Sequence, residues 1–279
     1  MKSLPDFTSN ILPSATLEEK LAHLHAHLRS LSPLIIAYSG GVDSAFLLAE
    51  AHAVLGSHVL AVIADSPSLP RQSLHDALAL ATQIGAAIEV VATNELANPQ
   101  YSTNPLNRCY FCKAELFSQL DALCLARNFS AIAYGENADD MQHIRPGRHA
   151  AKEFSIVAPL RDALLTKAEI RTLSRKRNLP TADAPAQPCL SSRIPHGTPV
   201  TIQALASIER AEAHLRSLGF RVFRVRHLAT HDLPARARIQ IAPEEMHRIP
   251  ALLSSIQSGL AIAGYSQIEI DPDGYRSPS

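Results

Sequence analysis

The sequence predicts an α/β protein: a parallel sheet covered on both faces, followed by a smaller α+β domain. Short apolar runs alternate with helix-length stretches from Leu34 to Asn178, the order in which parallel strands and crossover helices follow one another. The first strand passes into its helix through a glycine-rich turn. Beyond residue 200 the pattern changes to one helix, two neighbouring strand-like runs, a second helix and a short last strand. These observations divide the chain into a sheet domain over residues 1–185 and a small domain over 186–279.

Residues 1–15 are polar and proline-containing and read as a loose arm. Thr16-Leu-Glu-Glu19 fits a capping box, and Leu17, Leu21, Leu24 and Leu28 fall on one face of the helix it opens. His23, His25 and His27 are spaced i,i+2, which scatters them around that helix as solvated side chains. Leu34–Tyr38 reads as a buried strand and Ser39-Gly40-Gly41-Val42-Asp43-Ser44 as a tight turn. An apolar helix then runs to Leu55, with Gly56 as its C-cap.

His58–Ala64 is a second strand, with Asp65 and Ser66 at its C-terminal end, the edge where open α/β sheets bind ligands. A helix from Pro70 to Gly85 and a strand over Ala87–Val91 follow. The polar stretch Thr93–Asn107 leads to Arg108-Cys109-Tyr110-Phe111-Cys112-Lys113, read as a loop, and then to a helix ending near Asn128. Ala131–Tyr134 is the fourth strand. Gly135-Glu136-Asn137-Ala138-Asp139-Asp140 and Arg145-Pro146-Gly147-Arg148 lie at its ligand edge. Thr166-Lys-Ala-Glu169 is a second capping box, opening a helix to Asn178. The proline-rich segment 179–200 reads as a functional loop or domain junction. In the small domain the helices cover Ile202–Leu218 and Pro243–Ser258, and the strands Phe220–Leu228, Ala235–Ala242 and Gln267–Ile270.

With 279 residues, 46% of them hydrophobic, the chain can bury a sizeable core. Its formal charge of zero argues against a general nucleic-acid binder. Only 5% of residues are aromatic and none is Trp, so platforms for base stacking are scarce. The start of the chain has no signal-peptide core and no apolar run reaches membrane length, which predicts a cytoplasmic protein without a membrane partner. In that compartment its four cysteines read as thiols or metal ligands rather than disulfides.

The turn Ser39–Ser44 is where chemistry enters. Its glycines let backbone N–H groups converge, the following helix adds its positive end, and Ser39 and Ser44 add hydroxyls. Such a nest suits a polyphosphate. The lysine of a Walker A loop is missing. Ser-Gly-Gly-x-Asp-Ser resembles the PP-loop of the adenine nucleotide α-hydrolase superfamily. That resemblance implies a PP-loop ATPase (Rossmann-like) domain. Such enzymes break ATP between the α- and β-phosphates, adenylate a poor electrophile and release pyrophosphate.

Two further patterns stand apart from the loop. Strand alternation places Arg224 with Arg226, and Arg236 with Arg238, on one face each, while Ala237, Ile239 and Ile241 point the other way. If the strands pair, four guanidiniums cluster, a group suited to a phosphorylated ligand. Cys109 and Cys112 form a C-x-x-C pair, and Cys189 is a third cysteine in a loop, whereas Cys124 falls within an apolar helical pattern and reads as a core residue. Three thiolates can hold a [4Fe–4S] cluster with one iron left without a protein ligand. A zinc site would need a fourth ligand, for which His196 is the candidate.

The PP-loop, the Gly135–Asp140 and Arg145–Gly147 segments, and Pro188-Cys189-Leu190-Ser191-Ser192-Arg193-Ile194-Pro195 are together similar to the LarE family, from about Leu34 to Ile241. These are ATP-dependent sulfur transferases of nickel-pincer nucleotide biosynthesis, which serves lactate racemase maturation. One kind gives up the sulfur of a single cysteine at the position of Cys189 and becomes dehydroalanine. The other holds a [4Fe–4S] cluster on three cysteines, and Cys109, Cys112 and Cys189 match it. The chain departs from the family at Ala182, where a Trp is usual.

The resemblance implies a pyridinium mononucleotide substrate with two carboxylates, adenylated by ATP with Mg²⁺. Sulfide carried on the cluster then displaces AMP and leaves a thiocarboxylate. Ser39, Gly40, Gly41, Val42, Asp43, Ser44 and Ser66 become the ATP contacts, and Arg224, Arg226, Arg236 and Arg238 the contacts to the substrate phosphate. Cys189, Asp43 and Arg193 are the catalytic candidates, and Glu212 a further metal-ligand candidate. The expected partners are the mononucleotide, sulfide or another sulfur donor, and further copies of the chain in a homo-oligomer, with no nucleic acid. Two rivals share the motifs: a tRNA thiolase of the same superfamily, which copurifying tRNA would reveal, and a non-catalytic nucleotide-binding Fe–S redox sensor, which carboxylate-dependent pyrophosphate release would exclude.

Overall fold

The computed structural model describes residues 12, 14–142, 146–185, 188–230 and 233–275. Most of the predicted N-terminal arm, and Arg145, lie outside these residues. In chain order the elements are α1 (Leu17–Ser30), β1 (Leu34–Ala37), α2 (Val42–Leu55), β2 (Val59–Asp65), α3 (Arg71–Ile84), β3 (Ala87–Ala92), α4 (Pro99–Ser102), α5 (Arg108–Ala126), β4 (Ala131–Tyr134), α6 (Gly147–Glu153), α7 (Pro159–Asp162), α8 (Lys167–Lys176), α9 (Ile202–Ser217), β5 (Phe223–Thr230), β6 (Leu233–Ile241), α10 (Ile249–Ile262) and β7 (Gln267–Ile270). They form two compact units. The first takes Met1–Asp65, Arg71–Thr93 and Cys109–Ala184, and the second Ser66–Pro70, Asn94–Arg108 and Pro185–Ser279.

The first unit is a parallel sheet of order β3-β2-β1-β4. Leu34, Ile35 and Ile36 of β1 are fully buried, which explains their unbroken apolar run. Chain order reverses between β1 and β4, so the C-terminal ends of these two strands flank the switch point where such sheets open a crevice. The glycine-rich turn leaves β1 at that point. Helix α2 is buried along most of its length, Phe46, Leu47 and Leu48 included. Both predicted capping boxes form, at Thr16–Glu19 and Thr166–Glu169, and Lys20 Nζ meets Glu169 Oε1 at 2.8 Å to tie α1 to α8.

Two expectations fail in this unit. The C-x-x-C pair is not in a loop: α5 opens at Arg108, straight out of a turn in which the Arg108 N–H donates to the Pro105 carbonyl at 3.0 Å. Cys109 and Cys112 thus share a face of its first turn, at i,i+3. Nor are the α1 histidines solvated. That helix packs against both α2 and α7, so His27 is buried, with Asp162 Oδ2 4.0 Å away, and His25 Nε2 lies 2.6 Å from the buried carboxylate of Glu50. Burial lowers the His27 imidazole below its ordinary value, against the opposing pull of Asp162.

The second unit has a sheet of order β5-β6-β7, antiparallel between β5 and β6 and parallel between β6 and β7. One face carries Phe223, Val225, Ile239 and Ile241 into a core with Leu215, Ile256, Leu260 and Tyr265. The other carries the arginines, with Arg226 opposite Arg238, Arg224 opposite Gln240 and Arg236 opposite Leu228. The last helix starts later than the sequence implies. Pro243–Arg248 is a 3₁₀ turn and α10 follows, holding Pro250 in its first turn, where a missing N–H costs no helical bond. Among the described residues no helix is long and apolar enough to cross a membrane.

Gly135, just past β4, allows that strand to end against the first turn of α2. A Cβ there would lie 2.7 Å from the Ser44 nitrogen and 2.9 Å from its Cα. Gly135→Ala should therefore lower stability by about 1–3 kcal/mol, read as a lower denaturant midpoint at unchanged slope. Gly41→Ala, whose Cβ would meet only Ser39 Oγ at 3.5 Å, should cost less, and equal losses in the two variants would contradict the packing argument.

Candidate functional site

The turn between β1 and α2 is built by its own side chains. Gly40 sits at φ +73°, and a Cβ on it would approach Ala77 Cβ to 2.7 Å, so neither its backbone nor its surroundings admit another residue. Gly41 is the N-cap of α2 and brings no side-chain cap. Ser44 Oγ donates to the Gly41 carbonyl at 3.1 Å and accepts from the Ser39 N–H at 3.2 Å, with Ser39 Oγ 3.0 Å away. Both serine hydroxyls thus brace the loop, and the start of α2 presents the N–H groups and positive end that any helix offers there.

Asp43 reaches the segments after β4. Its Oδ2 is 2.6 Å from Lys167 Nζ, and Asn137 Nδ2 donates to its Oδ1 at 3.5 Å. Asn137 Oδ1 accepts from the N–H groups of Asp139 and Asp140 at 2.9 and 3.2 Å, which folds that segment into an Asx turn. The Lys167 N–H closes the arrangement on Asp139 Oδ2 at 2.8 Å. Beside it, buried Glu136 pairs with Arg148 at 3.0 Å and Arg161 at 2.9 Å.

In the second unit the segment after Cys189 forms a short 3₁₀ helix, Leu190–Arg193. Arg193 is its hub. Its Nε and Nη2 pair with Glu212 Oε1 and Oε2 at 2.9 and 3.0 Å, while Nη1 donates to the carbonyls of Pro188 and Cys189 at 2.6 and 3.0 Å. Glu212 Oε1 also accepts from the Val225 N–H at 3.1 Å, so this carboxylate is committed to joining α9, β5 and the Cys189 loop. The loop is held from the other side as well. Ser68, Tyr101 and Ser191, all nearly inaccessible, place their hydroxyls in a closed triangle with edges of 2.7, 2.8 and 2.9 Å. Buried Asn104 donates to the carbonyls of Ile194, Pro195 and Thr198, and Arg108 donates to Asn104 Oδ1 and, at 3.0 Å, to the Ser191 carbonyl.

Residues 192–196 of this loop wall a cavity of about 390 Å³, which Arg108, Arg226, Leu228, Arg238 and Gln240 also line. Arg226 donates to Gln240 Oε1 and to the Ser192 carbonyl, both at 2.8 Å. Burial and then the neighbouring Arg193 guanidinium lower Arg226 below its ordinary value, against the opposing pull of Tyr275, Glu212 and Asp271. Arg238 pairs with Glu269 at 3.2 Å, both half exposed. Arg224 shares the face but turns elsewhere: it donates to the Phe223 carbonyl and lies over the Tyr275 ring at 4.6 Å. Arg236 is exposed and outside the cavity lining. Ser66 accepts from the Ser68 N–H at 3.2 Å, beside the hydroxyl triangle.

None of the four cysteines is in a disulfide. Cys124 is the core residue predicted: its thiol donates to the Phe129 carbonyl at 3.3 Å, and burial pushes it up from its ordinary value. Cys109 is exposed, and Cys112 and Cys189 are half-buried. These three are thiols, the ligand type that iron–sulfur clusters take. Among the described residues, however, no three His, Cys, Asp or Glu side chains come together as a metal-holding group. Sequence reasoning missed Lys167, hidden inside a capping box, and Ser68, Tyr101, Asn104 and Gln240. For Asn104 a signal existed: Asn-Pro initiates turns, and Asn104 adopts φ +59°.

A parallel sheet with a glycine-rich loop at its switch point, and a smaller α+β unit with an arginine-lined cavity, define a Rossmann-like protein of the PP-loop class. No protein-family model matches the chain. An uncharacterized protein of Synechocystis sp. is 43% identical over 263 residues, 94% of this chain and 96% of that protein. The pyridinium-3,5-bisthiocarboxylic acid mononucleotide synthase of Lactiplantibacillus plantarum is 30% identical over 264 residues, 94% of each. An uncharacterized protein of Methanocaldococcus jannaschii is 28% identical over 247 residues, covering 88% of this chain and 91% of the relative. The chain belongs to the family of the mononucleotide synthase, the LarE family.

The hydroxyl triangle is testable as a unit. Tyr101→Phe and Ser191→Ala should each cost about 1–2 kcal/mol by denaturant titration. The double variant should cost clearly less than the sum, because either change already breaks the ring. Additive losses would show three independent hydroxyls.

Proposed function

We propose that the protein is an ATP-dependent sulfur transferase that converts the carboxylates of a pyridinium biscarboxylic acid mononucleotide to thiocarboxylates. The observation that carries this reading is the arginine-lined cavity walled by the residues that follow Cys189, in a chain related to a synthase of the bisthiocarboxylic product. A mononucleotide offers a phosphate for Arg226 and Arg238. Its carboxylates are poor electrophiles that sulfur cannot attack directly. A carboxylate oxygen therefore attacks the α-phosphorus of ATP, the bond to the β-phosphate oxygen breaks, and pyrophosphate leaves. The turn from Ser39 to Ser44 holds the polyphosphate through its N–H groups, Asp43 is the carboxylate that would hold Mg²⁺, which when bound would offset phosphate charge, and Ser66 follows the second strand at the nucleotide edge. A sulfur nucleophile then adds to the acyl carbon and AMP departs with its oxygen. Arg193, braced by Glu212, fixes the backbone that carries Cys189.

Cys109, Cys112 and Cys189 are the residues to hold a [4Fe–4S] cluster, which when bound would keep one iron open to sulfide. The demand for ATP and reduced thiols fits the cytoplasm.

Product analysis with the mononucleotide should give AMP and pyrophosphate; ADP and phosphate would defeat the adenylation. Arg226→Ala should weaken the mononucleotide about tenfold or more, roughly 1.4 kcal/mol, at unchanged ATP affinity, whereas Arg236→Ala should change neither. Titration calorimetry would decide it, and unchanged mononucleotide binding by Arg226→Ala would return that residue to a structural role.

The cysteines divide by a second measurement. In anaerobically prepared protein, Cys109→Ala, Cys112→Ala and Cys189→Ala should each lose iron and sulfide, and Cys124→Ala should keep both. Intact-mass spectra with dehydroalanine at residue 189 after one turnover would assign the chain to the single-cysteine kind.

A further inference from the structure

Beyond β7 the chain turns back onto its own sheet. The Asp271 N–H donates to the Ile239 carbonyl and the Tyr275 N–H to the Ile241 carbonyl, both at 2.8 Å, so residues 271–275 stay fastened along β6. Gly274 makes the turn possible: it sits at φ +68°, and a Cβ on it would lie 2.6 Å from the Ile241 oxygen. The turn returns two side chains to the arginine face. The Tyr275 ring lies against Arg224, and Asp271 Oδ2 accepts from Gln240 Nε2 at 2.8 Å.

Asp271 starts a chain of three side chains. Its Oδ1 accepts from the Asp273 N–H at 3.1 Å, which together with its own N–H bond fixes the carboxylate. A carboxylate only accepts, so the Gln240 amide turns its NH₂ toward Asp271 and its oxygen the other way. That oxygen takes the Arg226 Nε–H at 2.8 Å, and Arg226 Nη1 goes on to the Ser192 carbonyl at 2.8 Å. Both of these acceptors are neutral. Arg193 and Arg238, in the same lining, are paired with the carboxylates of Glu212 and Glu269. An amide between Asp271 and Arg226 gives the guanidinium a direction and keeps the carboxylate out of the place where an anionic ligand would pair with it.

We propose that Asp271 is a positioning residue of this cavity: acting through Gln240, it aims Arg226 at the phosphate of the bound mononucleotide. It deepens the reading of the substrate given above and rests on it. A guanidinium held from behind is ordered on folding, so its freedom is not lost again when the ligand binds. Charge alone argues the opposite way. A carboxylate near a phosphate site repels the ligand, and its removal would tighten binding if aiming the guanidinium were not its role.

The two effects have opposite signs, and that decides the experiment. The pyridinium biscarboxylic acid mononucleotide and its nucleoside, which lacks the phosphate, are titrated calorimetrically into the full-length wild type, Arg226→Ala, Asp271→Ala and Asp271→Glu. Asp271→Ala should weaken the mononucleotide about fivefold or more and leave the nucleoside within about twofold, and Asp271→Glu should recover part of the loss. Unchanged or tighter mononucleotide binding by Asp271→Ala overturns the assignment. Equal weakening of both ligands overturns it too, since a residue that serves the fold alone does not single out the phosphate. A wild type that binds both ligands alike, or an Arg226→Ala variant that binds the mononucleotide as the wild type does, takes the phosphate off Arg226 and overturns that part of the substrate reading together with this assignment. Should Asp271→Ala fail to fold, Asp271→Asn keeps the shape but has one acceptor oxygen for two donors, and it faces the same comparisons.

Discussion

The close approach of α2 to the end of β4 is the constraint on which the first unit depends. Gly135 has no room for a methyl group against Ser44, and on the other side Gly40 has none against Ala77. The start of the helix is thus gripped between a neighbouring strand end and α3. This grip sets where the N–H groups open, and it needs no ligand to do so. It also brings the Asx turn at Asn137 up to Asp43. A turn held in this way is preorganised: its backbone dipoles are fixed by packing alone.

In the second unit a buried ion pair has the corresponding part. Arg193 and Glu212 are both nearly inaccessible, and such pairs often gain little net stability over an apolar replacement. What this pair gains is definition. Its geometry is bidentate, the remaining Arg193 nitrogen is spent on loop carbonyls, and Glu212 takes a strand N–H. Loss of either partner would strand a charge in the interior, at a cost of roughly 3–5 kcal/mol. Arg193, expected to meet substrate, has its guanidinium nitrogens on Glu212 and on the loop around Cys189, and Glu212, expected as a metal ligand, holds Arg193 and the Val225 N–H.

Strands β1, β2 and β4 were legible because they are largely buried, leaving runs such as LIIA and VLAVIA with no polar interruption, whereas β3 is a half-exposed edge. The arginine face was legible because alternation survives pairing, and β5 and β6 do pair with Arg226 opposite Arg238. Local rules misled where tertiary packing decides. His27 looks like a surface residue until α7 covers it, and Pro243 looks like a helix start although a 3₁₀ turn intervenes. The contacts around Cys189 were illegible for a different reason. Ser68, Tyr101 and Ser191 meet from three distant segments, and no pattern within any one of them reports a hydroxyl partner 90 or 123 positions away.

That last arrangement bears on how the molecule can be divided. The chain enters the second unit for Ser66–Pro70, leaves it, returns for Asn94–Arg108, and leaves again before the final entry at Pro185. The two early visits bring Ser68, Tyr101, Asn104 and Arg108, the side chains that hold the Cys189 loop. The second unit is therefore not a module that ends can be cut to release. A fragment starting at Pro185 would keep the arginine sheet but lose the hydroxyl triangle and leave loop carbonyls without donors. Inheritance, shuffling and folding of this sulfur-bearing loop are bound to the sheet domain through which its supports are threaded.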